Sequence, residues 1–242
     1  MDLSMLRRLT LLLLLFFPLL LKAEAIKVPI YDQPRPPLAL LIKGEARGIY
    51  PDLFRAVLIE AGLTPELIPV PPMRRRVDFE TNQYSLSCCA NPAWRKRPKE
   101  QEIQIFSKPF YWTKDVFIFP QEQAFTIDKL SSLSNKRVAT IRGFDYRGEA
   151  YFGERLNYHN EQALIRAVAL GRADVGIVNE DILLASEEVA QVEQGPVHDQ
   201  ASLHIRIHRK RIDLVEPINQ AIERIITSGE LDQIVRSYLS KD

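Results

Sequence analysis

The stretch IYPDLFRAVLIEAG, residues 49–62, has the apolar spacing of a helix, and Gly62 provides its end. Its apolar stripe consists of Leu53, Ala56, Val57 and Ala61. IKVPIY at residues 26–31 and PELIPV at residues 65–70 flank this helix and have the composition of short strands. The order strand, helix, strand predicts an α/β unit in which the helix covers a sheet.

The same order returns in the second half of the chain. Strands are predicted at residues 137–141 and 175–178, with a glycine-bounded loop at 142–148 and a helix at 162–170 between them. Extended segments near 115–120 and 202–208 separate the two α/β units, and amphipathic helices end the chain. We therefore predict an α/β protein of two lobes, with a binding cleft between them.

The first 25 residues have the pattern of a cleaved secretory signal. Arg7 and Arg8 precede the apolar run LTLLLLLFFPLLL, and Ala23-Glu24-Ala25 supplies a small-residue cleavage site. The alternative is an uncleaved membrane anchor. We expect cleavage near Ala25 and a periplasmic protein.

Charge and cysteine content restrict the function further. Lysine and arginine number 32 against 31 acidic residues, a balance that argues against nucleic acid as partner. The two cysteines, Cys88 and Cys89, are adjacent, and we favour buried thiols over a disulfide because neighbouring residues reach disulfide geometry only with distortion. No metal-site spacing accompanies them, so we predict neither a metal nor another cofactor.

Five pieces of the chain, taken in order, resemble the bacterial extracellular solute-binding proteins of family 3. They are PRPPL (34–38), GIYPDLFRAVLIEAGL (48–63), NPAWRKRPKEQEIQIFSKPFY (91–111), GRADVGIVNED (171–181) and IERIITSGELDQIVRSYL (222–239). The resemblance implies a type II periplasmic binding protein fold with two hinge strands. Its expected lobes are residues 26–118 with 206–242, and residues 119–205. It also implies a non-enzymatic monomer that closes on a small ligand and delivers it to an inner-membrane ABC permease.

The resemblance makes Arg95 the first candidate for a ligand contact. In the family, an arginine before the FS-x-P-[FY] segment holds the ligand's carboxylate, and Arg95 precedes such a segment here. The planar guanidinium matches a carboxylate with two parallel hydrogen bonds. The alternative is a surface ion pair, because other cations crowd this stretch. Ser87 is a further candidate, although cysteines replace the hydroxyl residues that the family usually has beside it.

The family pattern also places an aspartate, which pairs with the ligand's ammonium, where this chain has Asn179. An asparagine accepts a hydrogen bond but cannot neutralise a cation. Either Glu180 takes that role or the ligand has no ammonium. Strand alternation would allow only one of the two side chains to face the cleft.

The remaining candidates come from four places in the chain. Arg75, in Pro72-Met73-Arg74-Arg75, resembles the P-W-x-R segment of a divergent branch of the family, with Met73 in place of the tryptophan. The loop at residues 142–146 could offer backbone N–H groups to an anionic oxygen. The aromatic candidates are Tyr31 and Trp112, and the loop candidates are Arg142, Gly143 and Phe144.

Three functions fit these expectations. The first is capture of a small solute that bears a carboxylate, an amino acid or a derivative, for an ABC-type uptake system. The second is a sensory or accessory receptor that signals to a membrane partner. The third is an enzyme resembling periplasmic cyclohexadienyl dehydratases, with Glu180 transferring the proton.

Overall fold

The computed structural model describes residues 25–32 and 34–239, so the predicted signal segment lies outside the described residues except for Ala25. The strands are β1 (Ile26–Tyr31), β2 (Leu40–Ile42), β3 (Glu45–Arg47), β4 (Pro65–Val70), β5 (Leu86–Ala90), β6 (Gln104–Phe106), β7 (Tyr111–Pro120), β8 (Arg137–Ile141), β9 (Glu154–Tyr158), β10 (Val175–Asn179) and β11 (Val192–His208). The helices are α1 (Ile49–Glu60), α2 (Pro72–Glu80), α3 (Pro98–Ile103), α4 (Glu161–Ala169), α5 (Glu180–Ala185), α6 (Val215–Ser228) and α7 (Glu230–Leu239).

These strands form one large mixed sheet and two small pairs. The large sheet has the order β5-β11-β7-β10-β8-β9, with β6 also paired to β11. Strand β8 runs parallel to β9 and β10, whereas β7 and β11 are antiparallel to each other. Strands β1 and β4 form a parallel pair, and β2 with β3 forms a hairpin. The predicted α/β class is confirmed.

Strands β7 and β11 connect the two α/β units. They are 10 and 17 residues long and pair from Tyr111 opposite Leu203 to Pro120 opposite Val192. Apolar side chains alternate along β7, so that Val116 and Ile118 enter the larger core while Phe117 and Phe119 enter a second one. The extended segments predicted near 115–120 and 202–208 are parts of these long strands. The exact lobe boundaries stay a prediction, and lobe 1 and lobe 2 below refer to the division given above.

The start of α1 holds the proline-rich segment before it in place. Gly48 has φ of +109°, and a Cβ there would lie 2.8 Å from the Pro37 carbonyl oxygen. The amides of Ile49 and Tyr50 donate to the carbonyls of Pro37 and Leu38, both at 3.0 Å. Residues 34–39 are thereby fixed against the first turn of α1.

The predicted strands at 26–31, 65–70 and 137–141 are confirmed, and the predicted helices 49–62 and 162–170 correspond to α1 and α4. One local prediction is wrong. The strand that includes Asn179 ends there, and Glu180 begins helix α5, so strand alternation does not govern the direction of these two side chains. Within the residues that the structure describes, no helix combines the length and apolar character needed to cross a bilayer.

Candidate ligand-binding cleft

A cavity of about 170 Å³ lies where β1, β5, α1 and α2 meet. Its lining combines aromatic and aliphatic walls with two arginines: Ile30, Tyr31, Arg35, Leu38, Ala39, Tyr50, Pro51, Arg75, Cys88 and Cys89. Tyr31 ends β1, so the cavity opens at the carboxyl end of a parallel strand, where α/β sheets generally bind ligands. The position and the mixed lining are those of a small-molecule site.

Arg75 reaches this cavity from the first turns of α2. Its Nη1 donates to the Cys88 carbonyl oxygen at 3.3 Å, and its guanidinium lies 5.6 Å from the centre of the Tyr31 ring. Burial, followed by the charge of Arg95, lowers the pKa of Arg75. The described residues contain no ion pair to Arg75. A desolvated cation of this kind favours an anionic ligand group.

Arg35 has a different environment, because a carboxylate from lobe 2 binds it. Its Nε donates to Glu161 Oε1 at 2.9 Å, and its Nη2 donates to the same oxygen. Its guanidinium also lies 5.3 Å from the centre of the Phe144 ring. Burial lowers the pKa of Arg35, but the charge and hydrogen bonds of Glu161 raise it by more. The net result is a raised pKa for Arg35. The pair joins the segment before α1 to the first turn of α4.

Tyr50, Thr113 and Asn179 form a hydrogen-bonded chain beside the cavity. The Tyr50 hydroxyl donates to Thr113 Oγ1 at 3.3 Å, and Asn179 Nδ2 donates to the same oxygen at 2.7 Å. Burial raises the pKa of Tyr50 to about 12, so its hydroxyl keeps its proton at neutral pH. On the same strand as Thr113, burial raises the pKa of Asp115 to about 6, although the nearby Arg35 opposes the shift.

The side chain of Asn179 is committed to the protein's own structure. Asn179 is 5% exposed and caps α5, with its Oδ1 accepting from the amides of Asp181 and Ile182 at 3.1 and 3.4 Å. Glu180 lies outside the cavity lining. Its carboxylate is 3.4 Å from Lys114 Nζ and accepts from Gln194 Nε2 at 3.1 Å.

Arg95 and Ser87 also lie outside the cavity lining. Glu100 Oε1 is 4.0 Å from Arg95 Nε and 3.7 Å from Arg206 Nη2, too far for hydrogen bonds. Burial, followed by the charge of Arg95, lowers the pKa of Arg206 to about 10. Ser87 is 2% exposed and pairs with Arg206 across β5 and β11.

The loop at residues 142–146 differs from the predicted anion site. The Arg142 amide donates to the Tyr158 carbonyl at 2.8 Å, and the Phe144 amide donates to the Ile141 carbonyl at 3.3 Å. The Tyr146 amide donates to Glu149 Oε2 at 3.2 Å, and Gly143 turns the chain with φ of +82°. Three of the five amides are therefore already satisfied, and the Phe144 ring contacts Arg35 instead.

The structure thus brings the predicted residues Tyr31 and Arg75 together in the cavity lining. Phe144 does not line the cavity, but its ring contacts Arg35, which does. Trp112 is 56% exposed and does not line the cavity. Sequence reasoning missed Arg35, Glu161 and Tyr50. Arg35 stands in the quoted PRPPL segment, whereas nothing in the local sequence distinguishes the buried Glu161 from the glutamates at the surface.

The two cysteines form one wall of the cavity. The structure joins Cys88 to Cys89 by a disulfide, so the preference for free thiols is wrong and the alternative holds. The pair ends β5 together with Ala90, directly beside the carbonyl that receives Arg75. It gives this wall an uncharged, polarizable surface.

Comparison with known proteins identifies the family to which this chain belongs. A model of the bacterial extracellular solute-binding proteins, family 3, matches residues 28–241, and the chain belongs to that family. Its fold is that of the two-lobed type II periplasmic binding proteins, and the predicted family and fold are confirmed. The comparison with curated protein sequences finds no significant match.

Three solved structures illustrate the likeness. The YCKB protein of Bacillus subtilis has a TM-score of 0.74 at 16% identity, over 91% of this chain and 92% of that one. The unliganded, open L-cystine receptor of Neisseria gonorrhoeae has a TM-score of 0.68 at 16% identity, over 90% and 94%. A histidine kinase sensor domain has a TM-score of 0.69 at 15% identity, over 90% and 96%. At sequence identities this low, the likeness supports a shared fold and nothing about the ligand.

Proposed function

We propose that this protein is a periplasmic receptor that captures a small solute bearing a carboxylate and delivers it to an inner-membrane ABC permease. The observation that carries the proposal is Arg75, a desolvated guanidinium in the cavity lining that forms no ion pair among the described residues, although the charge of Asp32 acts on it from a distance. A ligand carboxylate supplies the missing countercharge with paired, charge-assisted hydrogen bonds.

The rest of the lining suits the body of such a solute. Tyr31 and Leu38 offer apolar surface, and the disulfide of Cys88 and Cys89 adds a further uncharged wall. The Tyr50 ring belongs to the lining, while its hydroxyl connects the cavity to the hinge strand β7 through Thr113. Ligand contact with both lobes would shift the population toward the closed form.

The test is a thermal-shift screen of residues 26–242 against amino acids, dicarboxylates and aromatic acids, followed by calorimetry on each hit. A ligand that binds only the folded state stabilises it by RT ln(1 + [L]/Kd), so the shift grows with ligand concentration and affinity. We expect carboxylate-bearing hits that Arg75→Ala weakens. Arg74→Ala is the matched control, because the Arg74 side chain is 71% exposed on the same helix and pairs with Asp78. No hit at saturating concentration would contradict the proposal.

The transport role needs a separate test. With the ligand class known, uptake of the labelled solute is measured in cells with and without this protein. Lost uptake supports delivery to a permease. Unchanged uptake with a lost transcriptional or signalling response would instead favour a sensory receptor, the second candidate, whose fold likeness is to the kinase sensor domain.

A dehydratase function has weaker support. Glu180, its proposed proton-transfer group, contacts Lys114 and Gln194 and lies outside the cavity lining. We expect no turnover of prephenate or arogenate.

A further inference from the structure

We infer that the cleft selects carboxylic acids that carry no ammonium group, because the chain's own Arg35 supplies the cation that Glu161 binds. This inference rests on the proposed function and narrows its ligand class. It concerns Arg35, whereas the proposed function rests on Arg75. Four structural observations support it.

The first observation is the engagement of Glu161. Its Oε1 accepts from both Nε and Nη2 of Arg35, and the residue is 6% exposed at the start of α4. A buried carboxylate that loses its cation is strongly destabilised. A ligand ammonium could bind Glu161 only by displacing a guanidinium that also contacts the Phe144 ring.

The second observation is the charge of the lining. Its two charged side chains are Arg35 and Arg75, and the lining contains no carboxylate. An ammonium entering this small volume would meet two like charges and no carboxylate in the lining. A second carboxylate or an uncharged group would not be repelled there.

The third observation concerns carboxylates outside the cavity lining, each of which is bound within the protein or lies beside an arginine. Asp181 accepts from the Tyr111 hydroxyl at 2.8 Å, and Glu180 pairs with Lys114. Asp115, whose pKa is raised to about 6 by burial, faces Arg35. Asp32 has a buried Oδ1 without a hydrogen-bond partner, but Arg75 is its cationic neighbour, so an ammonium at that place would face a guanidinium.

The fourth observation is Asn179, at the position where the sequence resemblance would place an ammonium-binding aspartate. Its amide is neutral, and both of its polar atoms are used within the protein. Lobe 2 therefore offers no substitute for Glu161 at this residue. Together, the four observations leave a site for an anion joined to an uncharged body.

The experiment compares acids that share a skeleton and differ by one ammonium. Calorimetry with residues 26–242 measures succinate against L-aspartate, glutarate against L-glutamate, and 3-phenylpropionate against L-phenylalanine. We expect the acid without the ammonium to bind at least tenfold more tightly in every pair that binds. Amino acids that bind as well as their partners would overturn the inference and leave the proposed function standing. If neither member of any pair nor any acid of the screen binds, the proposed function falls, and the inference falls with it.

Three variants test the mechanism. Arg35→Met frees Glu161, so amino-acid affinity is expected to rise at least tenfold relative to the matched acid. Adding Glu161→Gln to Arg35→Met should abolish that gain. Glu161→Gln alone should keep the wild-type preference, because the cationic Arg35 remains. If Arg35→Met shows a folded circular dichroism spectrum and an unchanged ligand preference, the role of Arg35 is refuted. If it fails to fold, the wild-type ligand pairs decide the inference.

Discussion

Two arginines line the same cavity, but their surroundings differ. Arg35 is held by Glu161 from the other lobe, whereas Arg75 contacts a backbone carbonyl and the face of Tyr31 and forms no ion pair with its neighbour Asp32. A paired guanidinium contributes shape and interlobe connection, while an unpaired one provides affinity for an anion. The charge state of the side chain is the same, and its partners decide what it does.

Substitution at Arg75, the lining arginine that forms no ion pair, has the largest expected effect on binding. Arg75→Ala should weaken binding of a carboxylate hit about 10- to 100-fold, since hydrogen bonds to charged groups contribute roughly 1.5–3 kcal/mol. Arg75→Lys should retain part of that affinity, because it keeps the charge but loses the planar fork. Titration calorimetry measures both. Equal affinities for the wild type and Arg75→Ala would remove the distinction between the two arginines.

Breaking the ion pair of Arg35 and Glu161 should lower the free energy of unfolding. Glu161→Gln leaves Arg35 without its countercharge, with an expected loss of about 2 kcal/mol in the free energy of unfolding. Urea denaturation at pH 7 measures it, and the double variant with Arg35→Met gives the coupling between the two residues.

The exposed pair of Arg224 and Glu60 is a matched control, with side chains 52% and 41% exposed. Glu60→Gln should cost less than about 1 kcal/mol. A loss for Glu161→Gln no larger than this control would show that the interlobe pair contributes no more than a surface contact.

The smallest expected effect concerns Asp115, which lies near Arg35. Burial raises its pKa to about 6 from an ordinary value near 3.8, so the folded state holds this proton more tightly than the unfolded state. Between about pH 4 and pH 6 its contribution to stability falls as pH rises. Asp115→Asn removes that dependence, and its stability advantage over the wild type should grow through this range and then level off. A constant difference from pH 4 to pH 7 would contradict the assignment.

Local sequence patterns predicted most of the lobe architecture. The apolar spacing before Gly62 predicted α1, and β1 and β4 were recognised from composition and flanking prolines. Asn179 shows a local signal that was overlooked, because an asparagine followed by Glu-Asp is typical of a helix N-cap. Strand β9, with the sequence ERLNY, was missed because it contains no β-branched residue.

The site was predicted less well than the fold. Arg75 and Tyr31 were recognised, but Arg95 was ranked first and lies beside Glu100 instead. Arg35 and Glu161 are 126 residues apart, and no local pattern connects them. The proline-rich segment could be identified as a turn, but its orientation depends on the contacts with α1 that bring Arg35 into the cavity.

The sequence by itself determined the family, the repeated α/β order and the two long segments between the units, because helix and strand periodicities are local properties of the chain. Only the tertiary structure decided which arginine faces an acid and which does not. Such pairing depends on side chains brought together from both lobes, and the balance between burial and countercharge exists only after the chain has folded.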